Sequence, residues 1–295
     1  SVLVVFNKVR SNPIEVDRHY LQQKYPFIRG FISTDFEDNS GINELRTAIS
    51  REVRKLAVLH EPFPATWFAI REQLTETHAN IISAEAYRAL CIREGEFDPA
   101  AQDSLASTLH NLGILMHFRD DPRLRDTYVL NPIWVANGIA AILSSHAAAI
   151  RSGEVQLKEA SRFLDATEYP QETHSFIFDL MKKFEFCFSF PDDDTRYLVP
   201  ALLSPIQPEE TSAFPRSDCL RFEYRYSILP MGLFDRFIVR THTLSMNLPR
   251  WRKGVMLEFE GNQALVVADS DDKSVKVAVS GPLSGRRRLL ALIRS

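Results

Sequence analysis

The sequence predicts an α+β protein built from three consecutive parts. Residues 1–57 alternate strand and helix, an order that is typical of α/β architecture. Residues 58–213 carry mainly helical patterns and a hairpin, and residues 214–295 combine one helix with an antiparallel meander. The length of 295 residues suits two or three domains.

Composition narrows the functional classes. A hydrophobic content of 45% and a charged content of 25% are typical of a soluble globular protein. No apolar run reaches the roughly 18 residues that a membrane span needs, and the net charge of −3 argues against a nucleic-acid partner. The three cysteines form no CxxC pair, which favours reduced thiols and a cytoplasmic location. Because the chain starts on an apolar run without Met, we expect it to be a fragment of a longer protein.

The first part begins with an unbroken apolar strand, Ser1 to Phe6, of the kind found in parallel sheets. An amphipathic helix is predicted from Ile14 to Lys24, and a second strand from Phe27 to Ser33. A second helix follows, with Asn39 or Ser40 as its N-cap, and ends near residue 56.

The second part opens after the helix-breaking Pro62-Phe63-Pro64. Three helices are predicted. The first carries Trp67, Phe68, Ile70 and Leu74, and the second is capped by Ser83 and buries Tyr87, Leu90 and Cys91. The third is opened by Asp98-Pro99, carries Leu105, Leu109 and Leu112, and ends at Gly113. A hairpin of strands 114–118 and 128–130 and a helix from Pro132 complete a winged-helix-like shape.

The second part closes with another predicted strand pair. A helix over 176–181 leads into phenylalanines that alternate at period 2 from Phe184 to Phe190, which predicts a strand. Three adjacent aspartates, 192–194, form the turn before the returning strand 197–200. Calcium loops need acidic residues at alternating positions, and the histidines form no HExxH set, so no metal site is predicted.

The third part follows a linker stiffened by Pro205, Pro208 and Pro215, of the kind that separates domains. This part begins with a strand (219–228), which the segment Leu229-Pro230-Met231-Gly232 joins to a helix (233–242). Three meander strands follow, at 255–259, 264–268 and 275–280, and a terminal helix spans 286–293. One full helix leaves one face of such a sheet poorly covered, which favours a partner surface.

Several segments together resemble the COR domain of Roco proteins, which follows a Ras-like GTPase domain called Roc. They are the runs 109–118 and 128–135, the segment 59–70 and Leu229-Pro230-Met231-Gly232. The most specific feature is the order strand, Leu-Pro-x-Gly, helix, Trp-Arg-x-Gly, meander. The resemblance implies the C-terminal portion of a Roc domain (1–57), a COR N-terminal subdomain (58–213) and a COR C-terminal subdomain (214–295). It therefore implies the C-terminal piece of an α/β P-loop GTPase fold, then a winged-helix-like half, then an α+β half.

The resemblance also implies part of a nucleotide site. Asn7-Lys8 and Ser33-Thr34 follow strands, where ligands of parallel sheets bind, and they resemble the last two guanine-recognition motifs of Ras-like GTPases. Arg10 stands where the family has the guanine-reading Asp, and a guanidinium cannot accept hydrogen bonds. The printed sequence holds no G-x-x-x-x-G-K-[ST] motif, so no catalytic residue or cofactor is assigned to this fragment. The parent is expected to be a GTPase that uses GTP or GDP with Mg²⁺.

In the Roco family the COR C-terminal subdomain carries homodimer contacts. The side chains that we assign to dimer or interdomain contacts are Tyr224, Tyr226, Leu229, Pro230, Phe234, Phe237 and Trp251. The expected partners are a second copy of the chain, its own Roc domain, and leucine-rich repeats or a kinase domain of the parent. Two alternatives stay open: a winged-helix nucleic-acid binder and a general protein-interaction module.

Overall fold

The computed structural model describes residues 2–7, 15–55, 63–145, 152–215, 217–230, 232–269 and 271–294. The chain divides into two compact units, Ser1–Phe68 and Ala69–Ser295. The predicted features at Lys8, Arg10, Pro62 and Met231 lie outside the described residues.

The first unit has the predicted strand–helix–strand–helix order: β1 (Val2–Phe6), α1 (Arg18–Lys24), β2 (Ile28–Ser33) and α2 (Ile42–Val53). The two strands are parallel, with Phe6 opposite Ser33. The Asp17 side chain accepts a hydrogen bond from the Tyr20 N–H at 2.9 Å, so α1 begins at Arg18.

The predicted N-cap of α2, Asn39 or Ser40, is wrong because Gly41 occupies that position with φ of 71°. A Cβ at Gly41 would lie 2.0 Å from the Ser33 carbonyl oxygen. Only glycine allows the loop after β2 to return this closely to the strand end.

Side-chain caps begin three helices of the second part, and the first two of them were predicted. Ser83 caps α4 (Ala84–Arg93), Asp98 caps α5 (Pro99–Asn111), and Asn131 caps α6 (Pro132–Leu143), with proline at the first turn of α5 and α6. The helices of this part are α3 (Ala65–Glu76), α4 (Ala84–Arg93), α5 (Pro99–Asn111), α6 (Pro132–Leu143) and α7 (His174–Lys183).

Two short sheets accompany these helices: β3 (Ile81–Ser83) pairs with β4 (Thr127–Val129), and β5 (Glu154–Gln156) pairs with β7 (Asp193–Leu198), which also pairs with β6 (Phe188–Phe190). The core of this part includes Trp134 and Tyr169, whose rings stack at 5.0 Å. The Tyr169 hydroxyl donates to the Trp134 carbonyl at 2.8 Å, and the Trp134 indole N–H donates to the Glu168 carbonyl at 2.9 Å.

The predicted hairpin of 114–118 with 128–130 is wrong in its first strand. Only a single bridge joins Met116 to Val129, and the strand that pairs with β4 is β3. Leu112, which the predicted third helix carries together with Leu105 and Leu109, is 64% exposed at the end of α5. The helix ends there, so the apolar stripe has nothing further to pack against.

The predicted strand 184–190 is also wrong over its first four residues. Phe184 is the C-cap of α7, and Glu185 adopts a left-handed conformation with φ of 62°. The Phe186 N–H donates to the Met181 carbonyl at 2.8 Å, which closes the helix end in a Schellman-type turn. Of the alternating phenylalanines, Phe184 and Phe186 therefore lie at the end of α7, and Phe188 and Phe190 lie in β6.

The last part forms a five-stranded sheet with the strand order β8 (Leu220–Arg225), β12 (Ser274–Ser280), β11 (Asn262–Asp269), β10 (Gly254–Phe259) and β9 (Arg250–Trp251). The predicted meander is confirmed, with every neighbouring pair antiparallel. Its elements are β8 (Leu220–Arg225), α8 (Leu233–Arg240), β9 (Arg250–Trp251), β10 (Gly254–Phe259), β11 (Asn262–Asp269), β12 (Ser274–Ser280) and α9 (Leu283–Arg294).

One hydrophobic cluster joins the second and third parts. Ile238 on α8 and valines and leucines of the meander share it with Phe188, Leu198 and Leu203 from before the proline-rich segment. The Arg252 N–H donates to the Ser204 carbonyl at 2.9 Å. The proline content of the linker predicts two parts with independent cores. The shared cluster shows instead that the linker connects parts that pack on each other.

Candidate functional site

The predicted nucleotide loops lie at the carboxyl ends of β1 and β2. Asn7 follows β1 and is exposed, and Ser33, half-buried, ends β2 beside it. The structure therefore brings Asn7 and Ser33 to one edge of the parallel sheet, where ligands of such sheets bind. Lys8 lies outside the described residues.

Thr34 is placed differently from a base-contacting residue. Its side chain is fully buried, and both its N–H (2.8 Å) and its hydroxyl (3.4 Å) donate to the Phe6 carbonyl. The backbone donor of Thr34 is thus used within the sheet. Two residues later, Phe36 is 59% exposed, and in the described part of the chain its N–H has no hydrogen-bond acceptor.

The side chains assigned to dimer contacts fall into three groups. Tyr224 and Tyr226 are half-buried along and just after β8, and the Tyr224 ring contacts the Phe222 ring at 4.7 Å. Leu229, Pro230 and Phe234 line one open cavity of about 410 Å³ at the start of α8. The structure therefore brings together three of the seven predicted residues.

Phe237 and Trp251 lie elsewhere. Phe237 packs against the cluster that joins the second and third parts, with its ring 5.5 Å from that of Phe234. Trp251 is only 2% exposed, and a Cβ on Gly254 would lie 1.9 Å from its indole ring. Trp251 is thus buried within the single chain, and its assignment to a dimer or interdomain contact stays a prediction.

The cavity at the start of α8 has a polar side. Asp235 lines it beside Arg252 and Lys253. Burial raises the pKa of the Asp235 carboxyl, and the charge of Arg252 opposes that rise. The cavity combines an apolar rim with a desolvated carboxylate, an arrangement that suits a protein partner.

The sequence prediction missed Ile228, which is 77% exposed next to the cavity. In the sequence it ends an alternating strand and is indistinguishable from a core residue. Only the early end of β8 at Arg225 places it on the surface.

The outer face of the five-stranded sheet carries a separate groove of about 760 Å³. Its floor includes Leu265 and Val267, and Gln207, Phe214 and Pro215 of the proline-rich segment line its side. Phe214 is buried. The linker thus covers part of the sheet face that the sequence leaves open.

Comparisons with known families assign the chain to a class. Residues 64–203 match the COR-A family, described as "C-terminal of Roc, COR-A domain", and residues 217–295 match COR-B, "C-terminal of Roc, COR-B domain". The chain belongs to the Roco family and comprises its C-terminal Roc and COR region.

Curated relatives carry different enzymatic domains. The chain is 25% identical over 263 residues to a "Roc-COR-CHAT protease" of Runella zeae, covering 87% of this chain and 28% of the relative. It is 23% identical over 282 residues to the "Probable serine/threonine-protein kinase pats1" of Dictyostelium discoideum, covering 88% of this chain and 9% of the relative. The mouse "Leucine-rich repeat serine/threonine-protein kinase 1" is 29% identical over 143 residues, 46% of this chain and 7% of that protein. The chain spans less than a third of each of these relatives.

A solved structure also resembles the chain. Methanosarcina barkeri Roco2 RocCORdC, bound to GDP, superposes with a TM-score of 0.57 at 33% identity, covering 68% of this chain and 63% of that one.

None of the described helices has the length and apolar composition that a membrane span requires. Among the described residues, no group of three His, Cys, Asp or Glu side chains could hold a metal ion.

Proposed function

We propose that this chain is a homodimerising regulatory module that positions paired Roc GTPase domains in a larger Roco protein. Membership of the COR-A and COR-B families supports a Roc-coupled role. The observation that carries the dimer surface is the apolar rim at the start of α8. Ile228 is 77% exposed there, beside the cavity that Leu229, Pro230 and Phe234 line.

A largely exposed isoleucine at a cavity rim is expected to anchor an interface, because contiguous apolar surface marks interaction sites. A glutamate in its place would introduce an uncompensated charge into the contact. Leu283, at the start of α9, is also 77% exposed but lies apart from this cavity. It supplies a matched control.

The test is sedimentation velocity on the full chain at tens of micromolar. We expect the wild-type protein to be a dimer, Ile228→Glu to weaken dimerisation by about tenfold or more, and Leu283→Glu to dimerise normally. A monomeric wild-type chain would refute the dimer itself. Equal effects of the two variants would refute this choice of surface.

For the parent protein, we propose a guanine-nucleotide site to which Asn7, Lys8 and Ser33 contribute at the base edge. The Phe36 N–H is the backbone donor that we assign to the base, because the N–H of Thr34 is occupied by the Phe6 carbonyl. The relative of known structure is bound to GDP. P-loop amides, a lysine and Mg²⁺ hold the phosphates in GTPases, so this chain alone is expected to show no micromolar binding of a fluorescent GDP analogue. Such binding would contradict the assignment of the phosphate site to the upstream part of the parent.

A further inference from the structure

A second, smaller cleft lies between the β6–β7 hairpin and the segment that joins α8 to β9. Its volume is about 310 Å³, and its walls include Phe188 and Phe190 from the hairpin, His242 from the segment and Arg250 from the start of β9. It is distinct from the cavity at the start of α8 and plays no part in the proposed dimer contact.

Arg250 is a charged group of this cleft whose hydrogen-bond donors are not all paired. Its Nη2 donates to the Ser245 carbonyl at 3.3 Å and to the Met246 carbonyl, whereas its buried Nη1 has no hydrogen-bond partner in the described chain. Burial lowers the pKa of the guanidinium, which nevertheless stays charged at neutral pH. A buried donor on a charged group is costly to leave unpaired. Carbonyl oxygens do not neutralise the charge, and the Glu154 carboxylate, whose charge opposes the fall in the pKa of Arg250, is shared with Arg196, so the missing acceptor is expected to be an anion.

The other guanidinium of the cleft is already neutralised. Arg196 lies 2.9 Å from the Asp192 carboxylate and 3.6 Å from that of Glu154, with its Cζ 4.1 Å from the centre of the Phe190 ring. Two arginines and two acids give the cleft no net charge when it is empty. A singly charged anion is therefore favoured over a phosphate dianion, which the two carboxylates would repel.

Flat rings lie beside the unpaired donor. The His242 ring stacks on Phe188 at 4.6 Å with an interplanar angle of 25°, and the Arg250 Cζ lies 5.9 Å from the centre of the Phe188 ring. His242 Nδ1 lies 2.7 Å from the Val239 carbonyl and must donate to it, which fixes the orientation of the ring. This wall suits a planar ligand.

We propose that this cleft binds a small carboxylate attached to a planar aromatic group, with the Arg250 guanidinium turning its buried Nη1 into the cleft to donate to the carboxylate and the Phe188–His242 wall contacting the ring. The cleft volume of about 310 Å³ is sufficient for one such ring and its acid group.

The probe is benzoate, and its neutral isostere benzamide is the matched control. Titrations of the full chain are followed by heteronuclear NMR at residues 242–250. We expect benzoate to shift these signals saturably, benzamide to bind at least about tenfold more weakly, and inorganic phosphate to bind more weakly than benzoate. Equal binding of benzoate and benzamide, or tighter binding of phosphate, would overturn the proposal.

Variants test the contacts. Arg250→Gln should weaken benzoate binding by about tenfold or more, whereas Arg287→Gln, at an exposed arginine of α9, should leave it unchanged. Glu154→Gln removes a negative charge from the cleft and should tighten binding by about threefold or more. That gain cannot arise from misfolding, and it should vanish in the Glu154→Gln/Arg250→Gln double variant. Unaltered binding in Arg250→Gln, or no gain in Glu154→Gln, would refute the assignment.

Discussion

Replacing Phe188 by alanine tests whether the second and third parts fold as one body. Phe188 is 6% exposed, lies on β6 of the second part, and belongs to the cluster centred on α8 and the meander. Its ring also contacts His242 at 4.6 Å and Phe190 at 5.7 Å. The substitution removes one wall of both the small sheet and the shared cluster.

Truncating a buried phenylalanine to alanine costs about 3–5 kcal/mol, because lost transfer free energy and the remaining cavity add. For a unit the size of Ala69–Ser295, each kcal/mol lowers Tm by about 2–4 °C. We therefore expect a fall in Tm of about 6–20 °C. The fall should affect a single calorimetric transition that covers both parts.

Phe97, 71% exposed on the loop before α5, supplies the control. Phe97→Ala should change the free energy of unfolding by no more than about 0.5 kcal/mol. Two separate transitions in Phe188→Ala, only one of them shifted, would contradict the shared core. A shift no larger than that of Phe97→Ala would show that the ring is not packed as described.

Three further outcomes follow from individual contacts. Tyr87→Phe should lower the free energy of unfolding by about 1–3 kcal/mol in chemical denaturation, because the Tyr87 hydroxyl donates to the Gln102 carbonyl at 2.9 Å in a buried site; an unchanged midpoint would contradict this. Hydrogen bonds from Arg123 hold the pKa of Asp121 below its ordinary value, so its contribution to stability is complete above about pH 4 and lost as pH falls through the lowered pKa. Tm measured from pH 7 to pH 3 should accordingly fall less steeply in Asp121→Asn than in the wild type, and parallel curves would refute the assignment. Burial raises the pKa of the Cys187 thiol to about 12 and also raises that of Cys91, so a thiol reagent at pH 8 should label Cys219 rapidly in the native chain and all three cysteines only after denaturation.

Local signals predicted the elements that depend on local contacts. Ser83, Asp98 and Asn131 accept hydrogen bonds from the first turns of their helices, and each such cap is readable from residue type and spacing. The meander could also be predicted from the sequence. Glu260-Gly261 and the acidic turn before β12 separate strands in which apolar and polar residues alternate clearly.

Short elements without a local sequence signal were not predicted. β5 is a three-residue strand that exists only because β7, about forty residues later, pairs with it. Phe184 and Phe186 follow the strand pattern but are used where α7 ends, since the helix terminus and not the alternation fixes the backbone there. The residues of the cleft beside Phe188 also depend on contacts that are distant in the sequence. Arg250 has an ordinary sequence context, and its unpaired donor depends on the hairpin around Phe188.

The short helix α8 connects the proposed dimer surface to the rest of the COR region. Phe234 lines the cavity at one end of the helix, while Ile238 and Val239 lie in the cluster shared with Phe188 and Leu198. Arg240, at the other end, forms two hydrogen bonds with Glu185, at 2.8 and 3.1 Å, just after α7. That ion pair is exposed and contributes little energy, so the buried cluster is the stronger connection. Eight residues of helix extend only about 12 Å, and packed side chains transmit displacement with little compression. We therefore expect a partner that moves the start of α8 to move β6 and β7 as well, because Phe188 and Leu198 pack in the same cluster as Ile238.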